Sequence, residues 1–143
     1  MLFGRRQRTI RRILVVEDEP LVAFDNEHLL SEAGYQVVAT VDTLADASRV
    51  IMEEEGLDLV LTDVTLSGDG DGMDVARAAA AKNIPVLFVT GSCPPEAQTL
   101  GVGCLSKPYS DKMMKAALDA LDGRLQGRKP KKLPAGLSLY EQT

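Results

Sequence analysis

Long apolar runs and histidines are scarce in this sequence of 143 residues. No stretch approaches the roughly 18 consecutive apolar residues that a membrane-spanning helix needs, so we expect no transmembrane segment. The arginine-rich start, MLFGRRQRTIRR, is not followed by the apolar segment of a secretory signal. These two absences predict a cytoplasmic protein.

Cysteine and histidine are too few and too scattered to form an obvious metal site. Cys93 and Cys104 lack the spacing of metal ligands, and a disulfide between them is not expected in a reducing compartment. The single histidine, His28, has no second ligand in the pattern around it. We therefore assign His28 to a surface or packing position.

Charge is distributed unevenly along the chain. Five arginines lie in residues 1–12, and residues 124–143 hold five basic residues and one acid, which leaves 6 basic and 20 acidic side chains in between. This acidic middle would repel phosphates over most of its surface, so direct nucleic-acid binding is not expected. We predict a basic arm over residues 1–11, a folded domain over 12–123 and a flexible basic tail over 124–143. The alternative for the tail is that its apolar stretch, LSLY, docks on the domain or on a partner.

Five short apolar runs alternate with segments of helical spacing. Because the runs are apolar on both faces, they predict parallel strands covered by helices on both sides. The clearest helical segment begins with Ser110 as a cap and is predicted to stop at Gly123. The alternation predicts an α/β fold with a flavodoxin-like, doubly wound, five-stranded parallel sheet. The predicted strands are 12–16, 35–41, 57–62, 84–90 and 102–106.

Polar side chains follow these strands where ligands of such sheets bind, at the carboxyl ends. Clustered carboxylates attract Mg²⁺, and a lysine with a hydroxyl beside them suits a tetrahedral phosphoryl group. An ionised aspartate can attack phosphorus in such a site, so the set predicts phosphoryl transfer onto Asp63. The residues concerned are Glu17, Asp18, Glu19, Asp63, Thr90 and Lys107.

Four segments carry a resemblance to a known family. ILVVEDEP, LVLTD, VLFVTG and LSKPY resemble, in order and spacing, the signature segments of the response-regulator receiver domain of two-component signalling. The resemblance covers residues 12–122 and implies the CheY-like form of the flavodoxin-like fold. It also implies a stand-alone response regulator that accepts a phosphoryl group from a histidine kinase.

The resemblance implies a role for each site residue. Asp63 matches the phosphoacceptor, and Glu17 and Asp18 match the acidic pair that holds Mg²⁺. The backbone carbonyl of Thr65 would be a further metal ligand. The family's Lys-Pro, where a cis peptide is usual, is matched by Lys107 and Pro108. The resemblance also implies that Thr90 would donate a hydrogen bond to a phosphoryl oxygen and move toward the phosphoryl group on activation. Lys107 would form an ion pair with the same group.

The chain departs from the family's pattern in three places. Ser67 stands where a proline is usual, so the loop after Asp63 is predicted to be one residue longer and more mobile. The segment between Thr90 and Lys107 is short, which limits the fourth helix to about two turns. Cys104 occupies the position of the family's switch aromatic, three residues before Lys107.

A further motif bears on the kinase partner. FVTGSC partly resembles the Phe-Ala-Thr-Gly-x-Tyr variant of stand-alone receivers, which often work with alphaproteobacterial kinases of the HWE or a related class, although Cys93 replaces its final aromatic. We predict a sensor histidine kinase or a phosphotransfer protein as the donor, and an unknown downstream protein as the target.

Two other functions are open at this point. A haloacid-dehalogenase-like Mg²⁺ phosphatase also uses an aspartate at a strand end, but it needs a second aspartate two residues later, where Thr65 stands. A degenerate receiver used only as an interaction module is the third possibility, supported by Cys104 and the shortened helix.

Overall fold

The computed structural model describes residues 8–129 and 132–141, so most of the basic arm, residues 1–7, lies outside the described part. Strands and helices alternate through the described residues, as the sequence predicted. The elements are β1 (Arg12–Val16), α1 (Pro20–Glu32), β2 (Gln36–Val41), α2 (Leu44–Glu53), β3 (Leu59–Thr62), α3 (Gly72–Ala80), β4 (Val86–Thr90), α4 (Ala97–Leu100), β5 (Gly103–Ser106), α5 (Asp111–Leu125) and β6 (Leu137–Leu139).

The strands form one sheet in the order β2-β1-β3-β4-β5-β6. The first five run parallel, and β6 is antiparallel to β5. Helices α1 and α5 pack their apolar residues on one face, while α2, α3 and α4 cover the other. The predicted doubly wound α/β fold is confirmed, and the shortened fourth helix has only four residues.

Helix α5 begins directly after the residue expected to cap it but ends later than predicted. Ser110 accepts the backbone N–H of Met113 at the start of α5. We predicted that Gly123 ends α5, but this glycine is buried within the helix, which continues to Leu125. The chain leaves the helix at Gly127, where φ is +83°, a conformation that glycine adopts without strain.

The tail is the main departure from the sequence-based expectation. Leu137–Leu139 forms β6, so the prediction of a flexible tail does not hold for these residues, and the alternative of LSLY docking on the domain does. Leu137 packs into the core beside β5, and the carbonyl of Tyr140 accepts a hydrogen bond from Arg124. β5 would otherwise be an open edge, and pairing with β6 satisfies its backbone groups.

Cys93 and Cys104 form a disulfide, contrary to our expectation. The segment after β4 folds back over β5, which brings the two Cα atoms to 6.3 Å, within the range that a disulfide spans. Spacing along the chain did not reveal this approach, because it depends on how β4 and β5 pair. Among the described residues, no helix is long and apolar enough to cross a bilayer.

The first described residues pack on the domain through a buried carboxylate. Asp122 of α5 accepts the backbone N–H of Thr9 at 3.0 Å and that of Ile10 at 2.9 Å. Arg8 lies over the ring of Tyr35, 4.2 Å from its centroid. These contacts hold the chain against α5 just before β1 begins.

Replacing Asp122 with alanine is expected to lower the free energy of unfolding by about 2–3 kcal/mol, because it leaves the buried N–H of Ile10 without its charged acceptor. Urea denaturation of the two proteins measures the difference. The control is Asp119→Ala, an exposed aspartate of the same helix, for which we expect a change under about 0.5 kcal/mol. Equal losses in the two variants would contradict the role of Asp122.

Candidate functional site

Three carboxylates meet at the carboxyl ends of β1 and β3. Oxygen atoms of Glu17, Asp18 and Asp63 all lie within 4.8 Å of one another. The backbone sets this placement, because the N–H of Asp63 donates to the carbonyl of Val16 at 3.0 Å. Glu17 is 4% exposed and Asp63 is 8% exposed, so these two carboxylates are sheltered from solvent, while Asp18 is more open.

Lys107 reaches this cluster from the end of β5. Its Nζ donates to Asp63 Oδ2 at 2.7 Å and to Glu17 Oε1 at 2.8 Å. A longer contact of 3.4 Å joins it to Glu19, whose side chain is mostly exposed. The peptide bond from Lys107 to Pro108 is cis, as the Lys-Pro motif implied. One ammonium thus neutralises part of the charge of two buried carboxylates.

The pKa values of Glu17 and Lys107 reflect this shared environment. Burial raises the pKa of Glu17 above its usual value, although the hydrogen bonds from Lys107 and from the N–H of Glu19 act against the shift. Burial alone would lower the pKa of Lys107, but its hydrogen bonds with Asp63 and Glu17 outweigh that effect and raise it. Lys107 therefore keeps its proton at any pH near neutrality.

The remaining groups around Asp63 belong to the loop before α3. The N–H of Thr65 donates to Asp63 Oδ1 at 3.3 Å, and the hydroxyl of Ser67 donates to Asp18 at 3.4 Å. Three carboxylates and one ammonium leave a net negative charge, and their hard oxygen donors fit a magnesium ion. The cluster of Glu17, Asp18 and Asp63 is the donor set that would hold it.

The same loop is anchored to the rest of the domain. Ser67 pairs with Thr43 in an isolated parallel bridge, and Leu66 is buried. Gly72 must be glycine, because a Cβ there would overlap the backbone carbonyl of Asp63. α3 begins at this contact, and Asp71 and Asp74 form a capping box at its start. The first turn of α3 therefore helps to position the backbone of Asp63.

Thr90 and Cys104 lie on the neighbouring strands. Thr90 ends β4, is 7% exposed, and accepts the backbone N–H of Lys107 through its carbonyl at 2.8 Å. Space beside Gly91 is open, since a Cβ added there would meet no atom within 4 Å. Cys104 is fully buried in β5 and bonded to Cys93. The structure thus brings the predicted acidic residues and Lys107 together, with Thr90 on the strand beside Lys107.

A polar pair that was not predicted from the sequence lies next to this cluster. Asn26 of α1 is 4% exposed, and its side-chain oxygen accepts the hydroxyl of Tyr109 at 2.7 Å. Burial raises the pKa of Tyr109, so this phenol stays a donor. A cleft of about 430 Å³ opens between them and Lys107. The available signal was the spacing of Asn26 to Leu29 and Leu30, which places the amide on the buried face of α1.

Comparison with known proteins agrees with this geometry. A family profile described as "Response regulator receiver domain" matches residues 13–119. The phyllosphere-induced regulator PhyR of Methylorubrum extorquens is 33% identical over 79 residues, which are 54% of this chain and 30% of that protein. The chain therefore matches less than a third of the length of that curated relative.

Solved structures show the same fold. A response regulator receiver protein from Sinorhizobium medicae has a TM-score of 0.68 and 29% identity, and the match covers 78% of this chain and 93% of that one. The receiver domain of a sensor histidine kinase from Pseudomonas aeruginosa has a TM-score of 0.68 at 24% identity, over 79% and 98% of the two chains. That structure has magnesium coordinated in its active-site cleft. The fold, the carboxylate cluster and the profile match lead to one conclusion: the chain belongs to the response regulator receiver domain family.

Proposed function

We propose that this chain accepts a phosphoryl group on Asp63 and signals through the change that follows. The observation that carries the proposal is the pairing of Lys107 with Asp63 at 2.7 Å and with Glu17 at 2.8 Å. An ammonium at that place can exchange a carboxylate oxygen for a phosphoryl oxygen as the charge arrives. The nucleophile and the group that stabilises its product are therefore already adjacent.

In the transfer, a carboxylate oxygen of Asp63 attacks the phosphorus of a phosphohistidine. The P–N bond breaks, its electron pair leaves with the donor imidazole, and an acyl phosphate remains on Asp63. The ligands we propose for Mg²⁺ are the side chains of Glu17, Asp18 and Asp63 and the backbone carbonyl of Thr65. The chemistry that bound Mg²⁺ supplies is neutralisation of charge on the phosphoryl oxygens.

Activation then depends on Thr90 and Lys107. We propose that the hydroxyl of Thr90 moves to donate to one phosphoryl oxygen and that Lys107 pairs with another. Thr90 and Lys107 are linked through the backbone, because the N–H of Lys107 donates to the carbonyl of Thr90. Movement at Thr90 is therefore passed to β5 and to the four-residue helix α4 that lies between the two strands in sequence.

The partners follow from this chemistry. We propose that the donor is a sensor histidine kinase, of the HWE or a related class, or a phosphotransfer protein, and that transfer takes place in the cytoplasm, where ATP charges the kinase. The output is a phosphorylation-dependent contact with another protein or the draining of phosphate from the kinase. The acidic domain, with 6 basic and 20 acidic residues between 13 and 123, does not favour nucleic acid as the target.

We propose a phosphoacceptor that catalyses its own phosphotransfer and dephosphorylation, not an enzyme that turns over an external substrate. A phosphatase of the haloacid-dehalogenase type would need an acid or base two residues after the nucleophile. Thr65 stands there, and its contact with Asp63 is a backbone N–H. The alternative of a degenerate receiver that serves only as an interaction module is distinguished from our proposal by phosphate, because such a module would not respond to it at all.

Beryllofluoride with Mg²⁺ tests the proposal. We expect saturable, Mg²⁺-dependent shifts of the backbone amide signals of Asp63, Thr90 and Lys107, since this anion mimics a phosphoryl group on a carboxylate. Acetyl phosphate is expected to add one phosphoryl group per chain, measured by intact mass. Sustained release of phosphate over many turnovers would favour the phosphatase, and the absence of any Mg²⁺-dependent shift would leave only the interaction module.

A further inference from the structure

The disulfide closes a covalent ring around α4. Cys93 lies three residues after Thr90, and Cys104 lies three residues before Lys107, at a sequence separation of 11. The four residues of α4 are inside this ring, and its N-cap residue, Glu96, makes no side-chain capping bond. A helix of one turn has little stability of its own. The bond thus adds a covalent constraint to a one-turn helix that otherwise packs on the core mainly through Ala97.

The ring is attached to both residues that we propose to respond to the phosphoryl group. Thr90 pairs in register with Ser106, and Cys104 pairs with Phe88, so β4 and β5 are joined by backbone hydrogen bonds up to Lys107. The disulfide adds a covalent joint just beyond Thr90. In this joined arrangement, Lys107 is paired with Asp63 and Glu17. The cross-link is therefore present in the same arrangement in which Lys107 occupies the carboxylates.

One cysteine of the pair is partly exposed and the other is not. Cys104 is fully buried in β5, beside Ser138 of the neighbouring strand β6, whereas Cys93 is half-buried. Cys93 lines a groove of about 660 Å³ between α4 with the residues before it and β6 with the residues after it. The other residues that line the groove are Pro94, Gln98, Ser138, Leu139, Tyr140 and Glu141. A small thiol can reach the disulfide through this groove at Cys93. Bonds that are open to attack are the labile ones.

We propose that Cys93 and Cys104 form a reversible thiol–disulfide site that controls activation at Asp63. The oxidised form resists the movement of Thr90 and the α4 segment, and the reduced form permits it. This inference rests on the proposed phosphorylation of Asp63. Disulfides in a reducing compartment are in most cases redox-sensing or catalytic, which suits a cross-link placed beside a switch.

The reaction is an exchange with a low-molecular-weight disulfide such as glutathione disulfide. The Cys93 thiolate attacks one sulfur of that disulfide, whose S–S bond breaks and releases one glutathione thiolate. The Cys104 thiolate then attacks the Cys93 sulfur of the mixed disulfide, forming the protein bond and releasing the second glutathione. The protons of the two protein thiols pass to the two glutathione molecules, so the protein loses two electrons and glutathione disulfide gains them.

The test is a linkage measurement on the full chain. The protein is equilibrated at a series of glutathione ratios, and the disulfide fraction is read by mass after alkylation. Beryllofluoride and Mg²⁺ are titrated into the oxidised and the reduced protein. We expect the reduced form to bind about tenfold more tightly. By reciprocity, saturating beryllofluoride should make the protein harder to oxidise. Half-oxidation should then require a more oxidising glutathione mixture, changed by the same factor.

Variants separate this inference from the proposed function. Cys93→Ser removes the partly exposed cysteine and should bind beryllofluoride like the reduced protein at every glutathione ratio; Cys104→Ala repeats the test from the buried side. Equal binding by oxidised and reduced protein, or a bond that no glutathione ratio reduces, would overturn the redox control while leaving phosphorylation intact. If reduced protein and Cys93→Ser both fail to bind beryllofluoride, the proposed function fails and the redox control falls with it.

Discussion

Replacing Asp63 with asparagine is expected to abolish formation of the phosphoprotein. The amide has no carboxylate oxygen to attack phosphorus. It also replaces one of the three charged oxygen ligands of the cluster, Glu17, Asp18 and Asp63, with a neutral one. With acetyl phosphate and Mg²⁺, the phosphorylated fraction measured by intact mass should fall by at least about 100-fold. Binding of beryllofluoride should disappear as well.

The matched control is Asp69→Asn, which changes an exposed aspartate in the loop that follows Asp63. Both substitutions remove one negative charge from the same region, so general electrostatics cannot distinguish them. We expect the control to take up a phosphoryl group at the normal level. Normal phosphorylation of Asp63→Asn would show that Asp63 is not the acceptor, and loss in both variants would attribute the effect to the lost charge instead of the lost nucleophile.

Replacing Lys107 with alanine is expected to separate metal binding from activation. Lys107 neutralises Asp63 and Glu17 through contacts of 2.7 and 2.8 Å, so Mg²⁺ must compete with it for the cluster. Removing the ammonium should leave Mg²⁺ affinity unchanged or higher. Binding of beryllofluoride should weaken by about 10–100-fold, because the charge-assisted contact with a phosphoryl oxygen is lost. The amide of Thr90 should no longer shift on binding.

The same substitution removes the counter-ion of a buried carboxylate. Glu17 is 4% exposed and its pKa is already raised by burial, so without Lys107 we expect the protein lacking Mg²⁺ to lose about 1–3 kcal/mol of unfolding free energy. Added Mg²⁺ should restore part of that loss. Lys112→Ala, at an exposed position in the first turn of α5, is the control for both measurements. A normal Thr90 shift in Lys107→Ala would refute the role of the lysine.

The residues that lie together in the site could be predicted from the sequence, because the carboxyl ends of parallel strands share one edge of the sheet. Once the apolar runs are taken as parallel strands, Glu17, Asp63, Thr90 and Lys107 must lie near each other at their carboxyl ends. The capping residue of α5 was predictable for a local reason, because Ser110 accepts the backbone N–H of Met113 only three residues away. These inferences need only periodicity and short-range hydrogen bonding.

Helix ends and the tail were harder to predict, because distant contacts decide them. Gly123 has the residue type of a helix stop, but it is buried in α5, which continues past it to Leu125 before the chain turns at Gly127. The strand Leu137–Leu139 forms because β5 offers unpaired backbone groups at the edge of the sheet. Its own three residues contain no signal for that partner.

The amino-acid sequence by itself determined the alternation of strands and helices, the parallel sheet and the set of polar residues at its carboxyl edge, because periodicity and caps act over a few residues. The tertiary structure alone decided that Lys107 pairs with Asp63 and Glu17 together, that Asn26 accepts from Tyr109, and that Cys93 meets Cys104. Each of these contacts joins residues that follow or belong to different elements. Their distances depend on the packing of whole strands and helices, which no local pattern encodes.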